Sequence, residues 1–276
     1  DSALRRQWTL DDANLALREL PEAGGLELQT PAVFLDLIVE DAARRAFHGS
    51  RGVLTYLVNE IRRGEKSTPY SMVTATEDYP MPDLRPDEIV LNSWLADDLE
   101  ARPGDEVTLR YFVMEGGHNL VEQTRRLRVR ASVPLEQPDP TWTPEFPGVS
   151  DASNCRDWAP GLPIETNRIR AKDEAYWQKY RGTPKAFITL AAGQEMWANR
   201  FGRLTSLRFP RPATGGPAPE TTLRSALDPD QAGLVLQPLL ENAVYHGVEP
   251  GTGIGDVLVR IERKGDRVHV LVENPL

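Results

Sequence analysis

The chain has 276 residues, enough for one large domain or two ordinary ones, with 40% apolar residues to build a core and an ordinary 26% charged fraction. Its 41 acidic and 32 basic residues leave a formal charge of −9, which argues against nucleic acid as a partner, because phosphate recognition wants a basic face. No apolar run approaches the roughly 20 residues of a membrane helix, the lone Cys155 rules out an intramolecular disulfide or a cysteine-rich zinc site, and a start at Asp1 without Met reads as an excised or processed chain.

The first clear element is a helix expected over 30–48. Thr30 suits its cap and Pro31 its first turn. Val33, Phe34, Leu37, Ile38, Ala42 and Phe47 share one face, and Glu40–Arg44 and Asp41–Arg45 pair at i,i+4 on the other. Strands are expected over Val53–Val58 and Ile89–Leu91, the second running into a helix over Ser93–Glu100. Arg102-Pro103-Gly104-Asp105 is a turn, and Val107–Val113 and Leu127–Val133 read as strands around the Gly116-Gly117 turn.

Residues 134–170 are rich in Pro, Asp and Trp and lack periodicity. They read as a long ordered excursion anchored by Trp142, Phe146 and Trp158. A helix over Asp173–Tyr180 follows, then a strand (Lys185–Leu190), a helix (Ala191–Phe201) and a strand (Leu204–Phe209). Pro210–Pro219 is a turn or linker. Short helices are expected over Thr221–Leu227 and Leu234–Tyr245, and Val257–Ile261 and Val268–Val272 alternate around Lys264-Gly265-Asp266 as a hairpin.

Chemistry-bearing patterns are sparse. His48, His118, His246 and His269 show no metal-ligand spacing, and no GxSxG elbow, GxxxxGK[ST] loop or strand-following GxGxxG occurs. Gly251-Thr252-Gly253-Ile254-Gly255 reads as a flexible turn. The acidic groups Asp11-Asp12, Asp97-Asp98, Asp228 and Asp230 read as helix starts and solvated faces. The six tryptophans read as core anchors and loop pins rather than as a ligand platform.

Several stretches carry a family likeness: Arg6–Asp12, Leu54–Glu60, Thr68–Val73, Leu91–Leu99 with Pro103-Gly104-Asp105, Phe146–Asp151, Thr183–Phe187 and Trp197–Gly202. Together they resemble the large extracytoplasmic domain of FtsX-like permeases of the MacB superfamily, over about residues 1–235. The resemblance implies a mixed α/β body set between two membrane helices. Such a body performs no reaction, contacts cargo or an accessory protein, and relays motion from a cytoplasmic ATPase.

The tail departs from that pattern. Leu236-Gln237-Pro238-Leu239-Leu240-Glu241-Asn242-Ala243-Val244-Tyr245-His246-Gly247, continuing to Leu276, is similar to the ATPase domain of LytS/AlgZ-type sensor histidine kinases. On a helix Glu241, Asn242, Tyr245 and His246 share one side. The resemblance implies that Asn242 coordinates Mg²⁺, with Glu241 and His246 near the phosphates of Mg-ATP. The glycine-rich lid and the phospho-accepting histidine helix of that family have no counterpart here.

The expected fold class is α+β: a mixed permease-like domain with a long ordered loop region over 1–215, a linker with a short helix over 216–235, and a helix plus β-hairpin tail over 236–276. The leading functional expectation is a non-catalytic extracytoplasmic (periplasmic) domain of an ABC transporter permease, with no cofactor and no catalytic residue. Its partners would be transporter membrane helices, a cytoplasmic ATPase, and cargo or an accessory protein. The alternatives are an ATP-binding kinase fragment or a chimeric or artificial chain with neither activity.

Overall fold

The computed structural model describes residues 8–20, 25–115, 119–212, 215–228, 258–264 and 267–273. The Gly116-Gly117 turn, His118, Asp230, the helix expected over 234–245 and the Gly251–Gly255 run lie outside these residues. The fold is α+β, in two compact units, Ala16–Gly216 and Asp1–Leu15 with Pro217–Leu276.

The larger unit contains β1 (Ala16–Leu20), β2 (Gly25–Gln29), α1 (Leu37–Ala46), β3 (Arg51–Arg63), β4 (Lys66–Thr76), β5 (Glu88–Asn92), α2 (Ser93–Leu99), β6 (Glu106–Glu115) and β7 (Asn119–Val133). After the excursion come α3 (Ala171–Tyr180), β8 (Ala186–Thr189), α4 (Leu190–Trp197) and β9 (Ser206–Pro210). The strands form one nine-stranded sheet in the order β1-β2-β9-β3-β4-β8-β5-β7-β6.

β3 is long enough to serve three neighbours. Its start pairs with β9, most of its length with β4, and its end with β6 through Glu60↔Arg110, Ile61↔Leu109 and Arg62↔Thr108. That last pairing closes β3-β4-β8-β5-β7-β6 into a ring, from which β9-β2-β1 branch. β4–β8 and β5–β7 run parallel, and parallel neighbours require crossovers through intervening structure.

β3 is buried from Gly52 to Ile61 except at Tyr56, as a strand covered on both faces should be. Successive side chains point to opposite faces. Thr55 faces the excursion, where its hydroxyl donates to the Trp142 carbonyl at 2.5 Å. Leu57, on the same face, joins Tyr70, Met72, Val149, Cys155, Ile169 and Trp177 in an apolar cluster. Leu54 and Tyr56 face α4 instead, and Tyr56 meets the Trp197 ring at 5.7 Å.

Helix α4 approaches the sheet so closely that Gly193 has no room for a side chain: a Cβ there would lie 2.2 Å from the Ala75 Cβ. Gly193→Ala is expected to lose about 1–3 kcal/mol to overpacking, more than the helix propensity it gains. Chemical denaturation of the two proteins checks this; an unchanged or raised midpoint would show that α4 can step back from β4.

Local capping explains several boundaries. Asn92 ends β5 and caps α2, its side-chain oxygen accepting from the Leu95 N–H at 2.8 Å. Asp105 closes the predicted turn by accepting from the Arg102 N–H at 2.8 Å. The first helix corrects the sequence expectation. It begins at Leu37, capped by Asp36, which accepts from the Ile38 N–H, while Thr30 holds a preceding turn through the Ala32 N–H. The later start turns a different face inward. Leu37 and Ile38 are exposed, at 45% and 39%, whereas Val39, Ala42 and Ala43 are buried together with Glu40. The Glu40–Arg44 pair forms as expected, but Asp41 pairs with Arg203 at 3.7 Å.

In the smaller unit, Asp12 anchors a short helical turn over Asp11–Ala13 by accepting from the Thr9 N–H and hydroxyl at 2.8 Å each. Trp8 is buried, with the Arg224 guanidinium of α5 (Pro219–Ala226) over its ring at 5.4 Å. β10 (Leu258–Lys264) and β11 (Arg267–Glu273) form a two-stranded antiparallel sheet, with Leu258 opposite Glu273. This is the predicted hairpin.

Candidate functional site

Glu241, Asn242 and His246 lie outside the described residues, so the structure assigns no geometry to an Mg-ATP site there. Among the described residues, no group of three or more His, Cys, Asp or Glu side chains is disposed to hold a metal ion. His48 is exposed at the end of α1, as its sequence position implies.

The densest chemistry is a set of buried carboxylates, each held by arginine. Burying a carboxylate is costly unless it is paired and hydrogen-bonded. Glu27 accepts from Arg208 and Ser206 at 2.9 Å each and from Arg18. Both arginines also donate to the Thr141 carbonyl, at 2.7 and 2.9 Å. Glu60, at the β3–β6 seam, accepts from Arg168 at 2.6 Å and Arg62 at 3.0 Å, with Arg110 3.6 Å away. Burial would raise the Glu60 carboxyl, but Arg62, Arg168 and Arg110 outweigh it and hold the group below its usual range.

Asp98 corrects the expectation of a solvated helix face. Asp97 is exposed, but the Asp98 side chain is only 3% exposed. It accepts from Thr68 at 2.5 Å and Arg170 at 2.7 Å, and it pairs with Lys172. Burial would raise its carboxyl; the hydrogen bonds from Lys172, Thr68 and Arg170 prevail and hold it low. Arg170 forks onward to Asp173, at 2.7 and 2.6 Å, and donates to the Ser67 carbonyl at 2.8 Å.

These pairs explain how a segment without periodicity stays ordered. The excursion is tied to the sheet at Thr141, Arg168 and Arg170, each through a buried carboxylate or its arginines. Its aromatic anchors do the rest. Trp142 stacks on Tyr79 at 4.7 Å beneath the Arg208 guanidinium at 3.6 Å, Phe146 meets Tyr56 edge-on at 6.1 Å, and Trp158 meets Trp177 edge-on at 4.9 Å.

Beside Asp173 lies Lys185, a buried cation that sequence reasoning did not single out. Its Nζ is 4.0 Å from Asp173 and lies over the Trp94 and Tyr176 rings at 4.6 and 4.8 Å. Burial pulls its amine down to about 8, against the opposing pull of Asp173. The backbone around it is fully engaged: Lys185 N–H donates to the Met72 carbonyl and its carbonyl accepts from Asn92 N–H, both at 2.9 Å. The Asn92 amide donates to the Pro184 carbonyl and the Tyr176 hydroxyl at 3.0 Å each.

Lys185, Asp173 and the thiol of Cys155 line one cavity of about 20 Å³. Amine, carboxylate and thiol could in principle support covalent chemistry, but this space admits about one water molecule and no substrate. Burial also pushes the Cys155 thiol up to about 12, with Glu174 adding to the rise, so the thiolate needed for attack is scarce at neutral pH. The arrangement is a buried structural node.

No protein-family model matches the chain, and no curated protein sequence matches it. Among solved structures, it is similar to the periplasmic region of MacB from Actinobacillus actinomycetemcomitans, with a TM-score of 0.38 and 10% identity over 74% of this chain and 82% of that one. A likeness this distant transfers no residue roles.

Proposed function

We propose that the chain is a non-catalytic extracytoplasmic domain of an ABC transporter permease, contacting cargo or an accessory protein and relaying ATPase-driven motion. One observation carries this reading: the separate stretches that resemble FtsX-like permeases touch one another at buried polar contacts. Asn92 in Leu91–Leu99 bonds Pro184 in Thr183–Phe187. Asp98 in the same stretch accepts from Thr68 in Thr68–Val73. The likeness therefore follows an interlocked frame, as expected of a shared fold and not of scattered coincidences. A ring of strands with ionically pinned loops is also suited to transmitting force, because packed elements resist continuous deformation.

The kinase-like tail supports the second reading, an ATP-binding fragment, and its hairpin does form. A two-stranded hairpin is marginal alone and needs further packing for stability. Titration of the whole chain with Mg-ATP separates the readings. The proposal expects no saturable binding and no difference between wild type and Asn242→Ala. Saturable binding lost in Asn242→Ala would overturn it in favour of the nucleotide-binding fragment.

A further inference from the structure

A second cavity, of about 270 Å³, opens between α4, β6 and the turn after α4. Its walls include Tyr56, Phe112, Met196, Trp197 and Phe201, the last 53% exposed. The turn that presents Arg200 and Phe201 is built, not loose. Asn199 and Gly202 exchange backbone hydrogen bonds at 3.0 and 3.2 Å, and the Asn199 side chain accepts from Phe201 N–H at 2.8 Å and donates to the Trp197 carbonyl at 3.1 Å. Gly202 lies so close to the segment before α1 that a Cβ would fall 2.2 Å from the Leu35 carbonyl oxygen.

Two polar features are left over. The Trp197 indole N–H is buried, and no acceptor reaches it among the described residues. A buried donor without a partner is costly and calls for an explanation. Arg200 is exposed, and its contact among the described residues is the Phe201 ring, 4.7 Å from its guanidinium carbon. Among the described residues no carboxylate lines the cavity, although the chain carries a net charge of −9. The site thus combines aromatic walls with one exposed cation at its edge.

We propose that this cavity binds a small amphiphile with an apolar body and a single anionic head, such as a medium-chain carboxylate. The apolar body occupies the aromatic walls, and the head meets Arg200. The volume is at the lower end for ligand pockets, which fits one short chain or ring system better than a folded partner. The inference does not depend on the transporter reading.

Decanoate and uncharged 1-decanol, each titrated into the whole chain by calorimetry, test it. One saturable site for decanoate is expected. Arg200→Gln should weaken decanoate about tenfold and leave decanol nearly unchanged, because only the charge-assisted contact is lost. Ala198→Trp, which fills the cavity mouth from an exposed position, should abolish both; near-ultraviolet circular dichroism checks that the variants stay folded. Three results would overturn the proposal: no saturable binding of decanoate, binding that survives Ala198→Trp, or equal losses for both probes in Arg200→Gln. Tighter binding at this site of an apolar peptide with a free C-terminal carboxylate would also overturn it, in favour of a protein partner.

Discussion

Arg170→Met is expected to destabilise the larger unit by about 3–5 kcal/mol, the usual consequence of removing one partner from a buried ionic cluster. The guanidinium serves Asp98, Asp173 and the Ser67 carbonyl at once. The carboxylates it leaves behind are 3% and 5% exposed. Asp98 would keep Lys172 and Thr68, but among the described residues Asp173 would keep only the distant Lys185 amine as an ion-pair partner. Arg170→Lys should lose less, because it retains the charge but not the planar fork. Adding Asp173→Asn to Arg170→Met should recover part of the loss by removing the uncompensated charge. Urea denaturation of this set measures it. A loss under about 1 kcal/mol for Arg170→Met would mean that water reaches the cluster and replaces the arginine.

Lys185→Met should behave in the opposite sense, and its effect should depend on pH. The folded amine titrates near 8, below its ordinary value of 10.5. Between those values the unfolded chain binds a proton that the folded chain does not, so stability rises with pH across that window, by about 3 kcal/mol for the full shift. Below pH 8 the folded protein bears the unfavourable buried charge. Lys185→Met removes that burden and should raise stability at pH 7 by about 2 kcal/mol, an advantage that shrinks as pH rises from 8 towards 10.5.

Cys155 opposes this trend. Its folded thiol titrates near 12, above its ordinary 9.0, so stability falls as pH rises past 9. Wild type should therefore gain stability from about pH 8 to 9 and then level off, whereas Cys155→Ala should continue to gain towards pH 10. Denaturation midpoints at pH 7, 8, 9 and 10 for the three proteins check the account. A wild type that loses stability from pH 8 to 9 would contradict the assignment of Lys185.

Much of the fold was legible because local rules governed it. The strand, cap, helix and turn from Ile89 to Asp105 follow from an apolar run, Asn92, and Pro103-Gly104-Asp105. The hairpin around 264–267 follows from alternation. β1, β2 and β4 carry no clear strand signal in the sequence. β4 is buried over nearly its whole length, so it shows no alternation, and it contains Pro69, which usually argues against a central strand. The register of α1 failed because an apolar run can be helical from more than one starting point, and the position of Asp36 decided between them.

The polar core was the least legible part. Asp98 and Lys185 look like ordinary surface residues in the sequence; their burial arises from partners elsewhere in the chain, Arg170 for Asp98 and Asp173 for Lys185. The aromatic anchors of the excursion are visible in its composition, but nothing local shows that Arg168 and Arg170 reach Glu60 and Asp98. The Glu241–Asn242 box, the most specific chemical motif in the sequence, lies outside the described residues and remains a proposal.

The proposed function places this body on the outer side of a cell membrane. Ser153 is exposed, and the neighbouring Cys155 is buried with a poorly ionised thiol. A Ser153→Cys variant of the protein in its native cells, treated with a membrane-impermeant maleimide, tests the claim directly. Labelling of intact cells that exceeds the wild-type background is the predicted result; labelling that appears only after lysis would contradict it.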